Sequence, residues 1–190
     1  ELGPPPDLVT QIVVADAGGG RYRPLYWVIR YAEATVLDRH ATAWHALYLA
    51  LGILAAWLFY LALSAANVHG LPALLAGVWL LVVPGVSSVW IRLGPQESLG
   101  TLLLLVGALA TARGALPHSW PGWDWMFMLS VSAAALTKES FAVVPPAMVA
   151  LRLLLFSLRQ GRRSTLSRRA VAPGVAILGF GLVVTAVAFN

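Results

Sequence analysis

No Asp, Glu, Lys or Arg occurs from residue 42 to residue 65, and this single run limits the fold more than any other feature of the chain. A helix crosses the hydrocarbon core of a bilayer with about 20 apolar residues, and lipid tolerates only backbone whose polar groups are satisfied internally. Further apolar runs cover residues 71–91, 99–112 (extending back toward Leu93), 126–136, 141–158 and 170–189. The composition agrees: 59% of residues are hydrophobic, 11% are charged against about a quarter in soluble proteins, and the mean hydropathy is +0.77. The expected fold is all-α, a polytopic membrane helical bundle of about six spans preceded by a juxtamembrane interfacial helix. Residues 1–41 form the outer loop and that helix, and residues 42–190 form the bundle.

The chain has no cysteine, which excludes disulfides and thiolate metal sites. Its four histidines, His40, His45, His69 and His118, lack ligand spacing. The net charge of +5 and pI near 10.2 do not point to nucleic acid, because the basic residues sit in loops between apolar runs, where they set orientation and meet lipid headgroups. The opening Glu1-Leu2-Gly3-Pro4-Pro5-Pro6 has neither an initiator Met nor a signal-peptide pattern, so the chain reads as an internal piece of a longer polytopic protein.

Residues 1–22, with their proline triplet and the Gly18-Gly19-Gly20 run, read as a loop with little regular structure. A helix over 24–38 opens on Pro24, with Leu25, Val28, Ile29, Ala32 and Val36 on one face and Arg30 and Glu33 elsewhere. Too short and charged to span, it lies along the interface with Tyr26, Trp27 and Tyr31 at headgroup level. Trp120, Trp123 and Trp125 mark a second interfacial belt. The run over 126–136 must recruit residues 123–125 to reach across, Pro145-Pro146 starts or kinks the fifth span, and Arg152 snorkels toward that span's end. Gly77, Gly85, Gly107, Gly174, Gly179 and Gly181 permit close helix approach.

Arg159, Arg162, Arg163, Arg168 and Arg169 crowd the loop between the last two spans, which the positive-inside rule places in the cytoplasm. Alternating back through the spans puts residues 1–41, the 92–98 turn and Lys138-Glu139 outside. Seven of the eight acids then face outward, Asp124 being the exception.

That face gathers Asp7, Asp16, Arg21, Arg23, Arg92, Glu97, Lys138 and Glu139 beside low-dielectric walls. A carboxylate there can act as base or orient an acceptor while Arg and Lys neutralise a phosphate leaving group. Glu139, opening the fifth span, is also favoured by the helix dipole. The plain alternative is that Lys138-Glu139, Glu97 and Arg21-Tyr22-Arg23 are ordinary charges flanking spans. Asp38 reads as a helix end and His45 as a packing residue.

Three motifs, in this order, carry a resemblance: Gly20-Arg21-Tyr22-Arg23-Pro24-Leu25 followed by Trp44-His45-Ala46-Leu47, then Gly94-Pro95-Gln96-Glu97, then Leu136-Thr137-Lys138-Glu139-Ser140. They resemble the polytopic glycosyltransferases of the C superfamily, which include protein O-mannosyltransferase-like enzymes and multispanning mannosyltransferases with tetratricopeptide repeats. The resemblance implies a sugar carried on a polyprenyl phosphate, transferred with inversion outside the cytoplasm at the plasma membrane. It implies that Glu97 shapes the acceptor or metal side, a divalent metal being compatible with this chemistry. Lys138 would contact donor phosphate, Glu139 would orient or pair with an arginine such as Arg92, and Arg21 and Arg23 would close the donor site. The family's catalytic acid follows an earlier span, which makes Asp7 and Asp16 the candidates within this sequence, the alternative being an acid upstream of Glu1. No tetratricopeptide pattern or soluble acceptor domain is present, so the acceptor stays open. The rival readings are a transporter or flippase of a lipid-linked precursor, in which Glu97 and Lys138-Glu139 would be gating charges, and a membrane subunit without chemistry.

Overall fold

The computed structural model describes residues 6–19, 21, 23–83, 96–138, 141, 143–160 and 168–189. These residues are all-helical. Eight helices follow in order: α1 (Pro6–Gly18), α2 (Pro24–Leu37), α3 (Ala41–Ala65), α4 (Leu71–Val82), α5 (Gln96–Gly114), α6 (Gly122–Ala135), α7 (Pro145–Gln160) and α8 (Arg168–Phe189). Among the described residues α3 alone, at 25 residues, is long and apolar enough to cross a membrane, and only 22% of its most apolar window is buried. α4 and the 170–183 part of α8 are shorter apolar helices.

Several boundaries follow directly from local chemistry. Proline fixes φ and lacks an N–H, so it suits the first turn, and Pro6, Pro24 and Pro145 each open a helix. Pro145 therefore starts α7 and does not kink it. Residues 6–18 are helical where composition predicted loop: the apolar residues between the prolines and the glycines were enough to continue the helix that Pro6 begins. Asp38 ends α2 as expected, its N–H donating to Ala34 O at 3.0 Å. α6 recruits Trp123 and Trp125 as required. The second predicted span is helical to Val82, and its 84–91 part lies outside the described residues.

Three clusters form the core. Ala110, Phe127, Val131, Met148 and Ile177 join α5, α6, α7 and α8, while Ala55 and Leu102 join α3 and α5 with Leu80 and Leu81 of α4 packed on them. Ala115, Phe156 and Ala170 close one end. Gly107 lets α5 approach α6: a Cβ there would lie 2.8 Å from Val131 Cγ2 and 3.1 Å from Ser130 Oγ. Gly77 and Gly174 serve similar approaches, whereas Gly179 and Gly181 face open space and Gly85 lies outside the described residues.

The expectation that Arg152 snorkels is overturned. Arg152 is 0% exposed, its NH2 donating to Asp124 Oδ1 at 2.5 Å and its guanidinium lying 4.9 Å from the ring centroids of both Phe127 and Phe156. A carboxylate across the helix interface was available, and pairing with it replaces solvation that the bundle interior denies. In the last turn of α7, Arg159 donates from NH1 to Ala112 O at 2.5 Å and from NH2 to Ala65 O. The ends of α3, α5 and α7 therefore meet the starts of α6 and α8 at one end of the bundle. α3, α5 and α7 run one way and α4, α6 and α8 return.

Arg152→Ala strands the Asp124 carboxylate and is expected to destabilise the bundle by about 3–5 kcal/mol, whereas Asp124→Leu combined with Arg152→Met recovers most of the loss. Unfolding in detergent micelles, followed by tryptophan fluorescence, measures both. Equal destabilisation by the single and the double change would assign the loss to packing alone.

Candidate functional site

The opposite end of the bundle gathers the start of α5, the end of α6 and the start of α7. Glu97 stands in the first turn of α5, where the helix dipole favours an acid. Lys138 follows α6 by three residues, and its Nζ donates to Glu97 Oε1. The pair is 27% exposed at the lysine and 39% at the glutamate, so solutes reach it without crossing the core. Phe141 anchors the same turn: its N–H donates to Lys138 O at 2.9 Å, and its ring lies so close to Gly100 that any Cβ there would overlap it. Thr137, fully buried, donates its hydroxyl to Ala134 O at 2.7 Å and finishes the helix just before the lysine.

The N-terminal helices join this end through one backbone bond, Leu25 N–H to Leu136 O at 3.2 Å. Two residues earlier, Arg23 is buried and grips Asp16 with two charge-assisted bonds, Nε to Oδ2 at 2.9 Å and NH2 to Oδ1 at 2.7 Å. Trp27 Nε1 donates to Asp16 Oδ2 at 2.7 Å. Partial burial pushes the Asp16 carboxyl upward, but the bonds from Arg23 and Trp27 and the charges of Arg23 and Arg21 outweigh it, holding the group below its ordinary value. Asp16 is thus a permanent anion at neutral pH and a weak base. Arg21 is exposed, with its backbone N–H on Asp16 O at 2.9 Å.

The predicted site residues sort accordingly. Glu97 and Lys138 come together, and so do Asp16, Arg21 and Arg23. Asp7 lies in the first turn of α1. Glu139 and Arg92 lie outside the described residues. Among the described residues no three His, Cys, Asp or Glu side chains converge to hold a metal ion.

A third ionic group escaped the sequence reading. Arg30 NH1 lies 3.1 Å from Glu33 Oε2, and Tyr48 of α3 donates to that same oxygen at 3.3 Å while Arg30 stacks 4.3 Å above the Trp44 ring. Arg30, Glu33 and Tyr48, with Ser98 beside Glu97, line a small cavity of about 30 Å³. The polar side of α2 therefore faces α3, and Val28 and Val36 of its apolar face are exposed. The i,i+3 spacing of Arg30 and Glu33, and the i,i+4 spacing of Arg23 and Trp27, were the signals that could have found these contacts.

No family model, curated protein or solved structure matches the chain.

A carboxylate held below its ordinary pKa stabilises the fold above the unfolded value of 3.8, and that contribution is lost as pH falls through the still lower folded value. Acidification below about pH 4 is therefore expected to loosen α1 from α2, seen as a change in the Trp27 fraction of the emission (wild type minus Trp27→Phe). Asp16→Asn should show that fraction already altered at pH 7 and flat on acidification; an unchanged acid transition in this variant would locate the titrating group elsewhere.

Proposed function

We propose that this chain belongs to a membrane-embedded glycosyltransferase that moves a sugar from a polyprenyl-phosphate donor to an extracytoplasmic acceptor, with inversion. The observation that carries this reading is the Glu97–Lys138 contact, at the bundle end where α2 also docks with its Arg23–Asp16 pair. A base and a phosphate-binding cation side by side, accessible yet beside apolar helices, are what glycosyl transfer from a lipid phosphate requires.

In this reading Glu97 takes the proton of the acceptor hydroxyl as its oxygen bonds to the anomeric carbon. The bond from that carbon to the phosphate oxygen breaks on the opposite face, and the phosphate leaves with the bonding electron pair. Lys138 turns from Glu97 to that phosphate as a point charge, and the exposed Arg21 reaches it from the loop. Asp16 orients Arg23 and does not act as base, because three hydrogen bonds and the neighbouring arginine charges lower its basicity. Asp7 keeps the role of second acidic candidate, and Glu139 and Arg92 keep the roles that the resemblance implies.

The membrane setting follows the same reading. α3 is of spanning length, the helices alternate in direction, and large apolar side chains on α3, α4, α6, α7 and α8 are exposed, which water would disfavour and lipid would not. We take α3 to α8 as six spans of a plasma-membrane protein, the arginine-rich end inside and the Glu97–Lys138 end outside, with α2 in the interface.

Sugar transfer from a panel of polyprenyl-phosphate sugars, assayed in vesicles carrying the full-length protein, tests the assignment. Glu97→Gln is expected to lower kcat by about 10²-fold or more with little change in donor KM, the loss typical of a missing general base. Lys138→Met is expected to raise donor KM by about tenfold. Wild-type kinetics in Glu97→Gln would remove Glu97 from the chemistry.

A further inference from the structure

Past the end of α3, the connector at residues 66–70 reverses the chain through Asn67 and Gly70, both at φ 69°, and α4 returns along α3. Where the helices meet, a Cβ at Gly77 would lie 3.1 Å from Ala56 O, so the floor of the junction is nearly bare backbone. The walls are tall. Trp57 and Tyr60 stack on one side, 5.5 Å between centroids, with Ile53 above them, and Leu74 and Val78 stand on the other. The result is an open apolar trough with a cavity volume of about 470 Å³.

We propose that this trough holds an acyl chain of a membrane phospholipid, drawn from the leaflet opposite the Glu97–Lys138 end. The proposal rests on the reading that α3 spans a membrane. Water is a poor occupant, since the lining is mostly apolar and offers it few hydrogen-bond partners. The trough opens where α4 lies along the span-length helix α3, with Ile53, Trp57, Leu74 and Val78 about half exposed, so its filling comes from the bilayer core. Its position selects the leaflet. Residues 53–60 belong to the half of α3 that ends at Ala65, whose carbonyl Arg159 holds, while the Glu97 end lies beside Tyr48 in the other half. At that closed end the 66–70 turn exposes Asn67 and His69, a polar mouth at headgroup level. A straight chain suits a trough walled by long side chains and floored by small ones.

The test uses the full-length protein in phosphatidylcholine vesicles doped with a phospholipid bearing a mid-chain diazirine, with adducts mapped by mass spectrometry after illumination. Adducts should concentrate on residues 53–60 and 74–78. Val78→Trp, which fills the trough from an already exposed position, should cut them by about tenfold and leave adducts on α8 unchanged. Even labelling along the apolar faces of α3, α4 and α8 would overturn the proposal, as would protein–protein cross-links at the trough, which mark a second copy as its occupant. Flotation of the same sample separates the two levels: protein that floats but is not labelled there refutes the lipid site alone, and protein that fails to float refutes the membrane reading and the site together.

Discussion

A guanidinium with no exposed surface constrains everything packed around it. Arg152 lies fully buried between two phenylalanine rings, and an isolated charge there would be prohibitively costly. Asp124 supplies the countercharge and Ala170 O accepts from Nε at 3.4 Å. Two turns further along α7, Arg159 reaches the last carbonyls of α3 and α5, which carry the partial negative charge of helix C-termini. Through two side chains α7 is thereby tied to α3, α5, α6 and α8. Hydrophobic packing has no direction of its own, so these bonds set which helix ends lie together.

The candidate site is a consequence of that arrangement at the other end. With the ends of α3, α5 and α7 fixed together, the start of α5 and the turn from α6 to α7 have to meet, and Glu97 and Lys138 are the residues those segments present. The Phe141 ring on Gly100 and the Leu25–Leu136 bond then fix the turn and bring the Asp16–Arg23 staple to the same end. An acid and a cation forty-one positions apart thus share one contact without either being buried.

Much of this was legible in the chain before any coordinates. The apolar runs located α3, α5, α6, α7, α8 and the start of α4 to within a few residues, because a long charge-free run satisfies its backbone polar groups internally as a helix. Glu97 and Lys138 stood out because each interrupts such a run. What the sequence concealed was partnership. Arg152 looked like a snorkelling cation because periodicity shows that a charge lies on an apolar helix but not that Asp124, twenty-eight positions away, will face it. Arg30, Glu33 and Tyr48 were hidden similarly: α2 turns its polar side toward α3, reversing the usual rule that the apolar face meets the protein. The α1 helix was missed because the prolines and glycines that suggested loop are its two boundaries.

The central claim is that Glu97 and Lys138 form one reaction centre with a lipid-linked phosphate between membrane and outer solvent. It is tested most directly by an electron-microscopy structure of the full-length protein in a lipid nanodisc with bound polyprenyl phosphate. The account predicts the phosphate within hydrogen-bonding distance of Lys138 Nζ, Glu97 on the side facing outer solvent, and the polyprenyl chain running down the apolar helices. A phosphate bound elsewhere, with the Glu97–Lys138 contact intact and turned to bulk water or headgroups, would contradict it and leave the pair as an ordinary clasp between two helix ends.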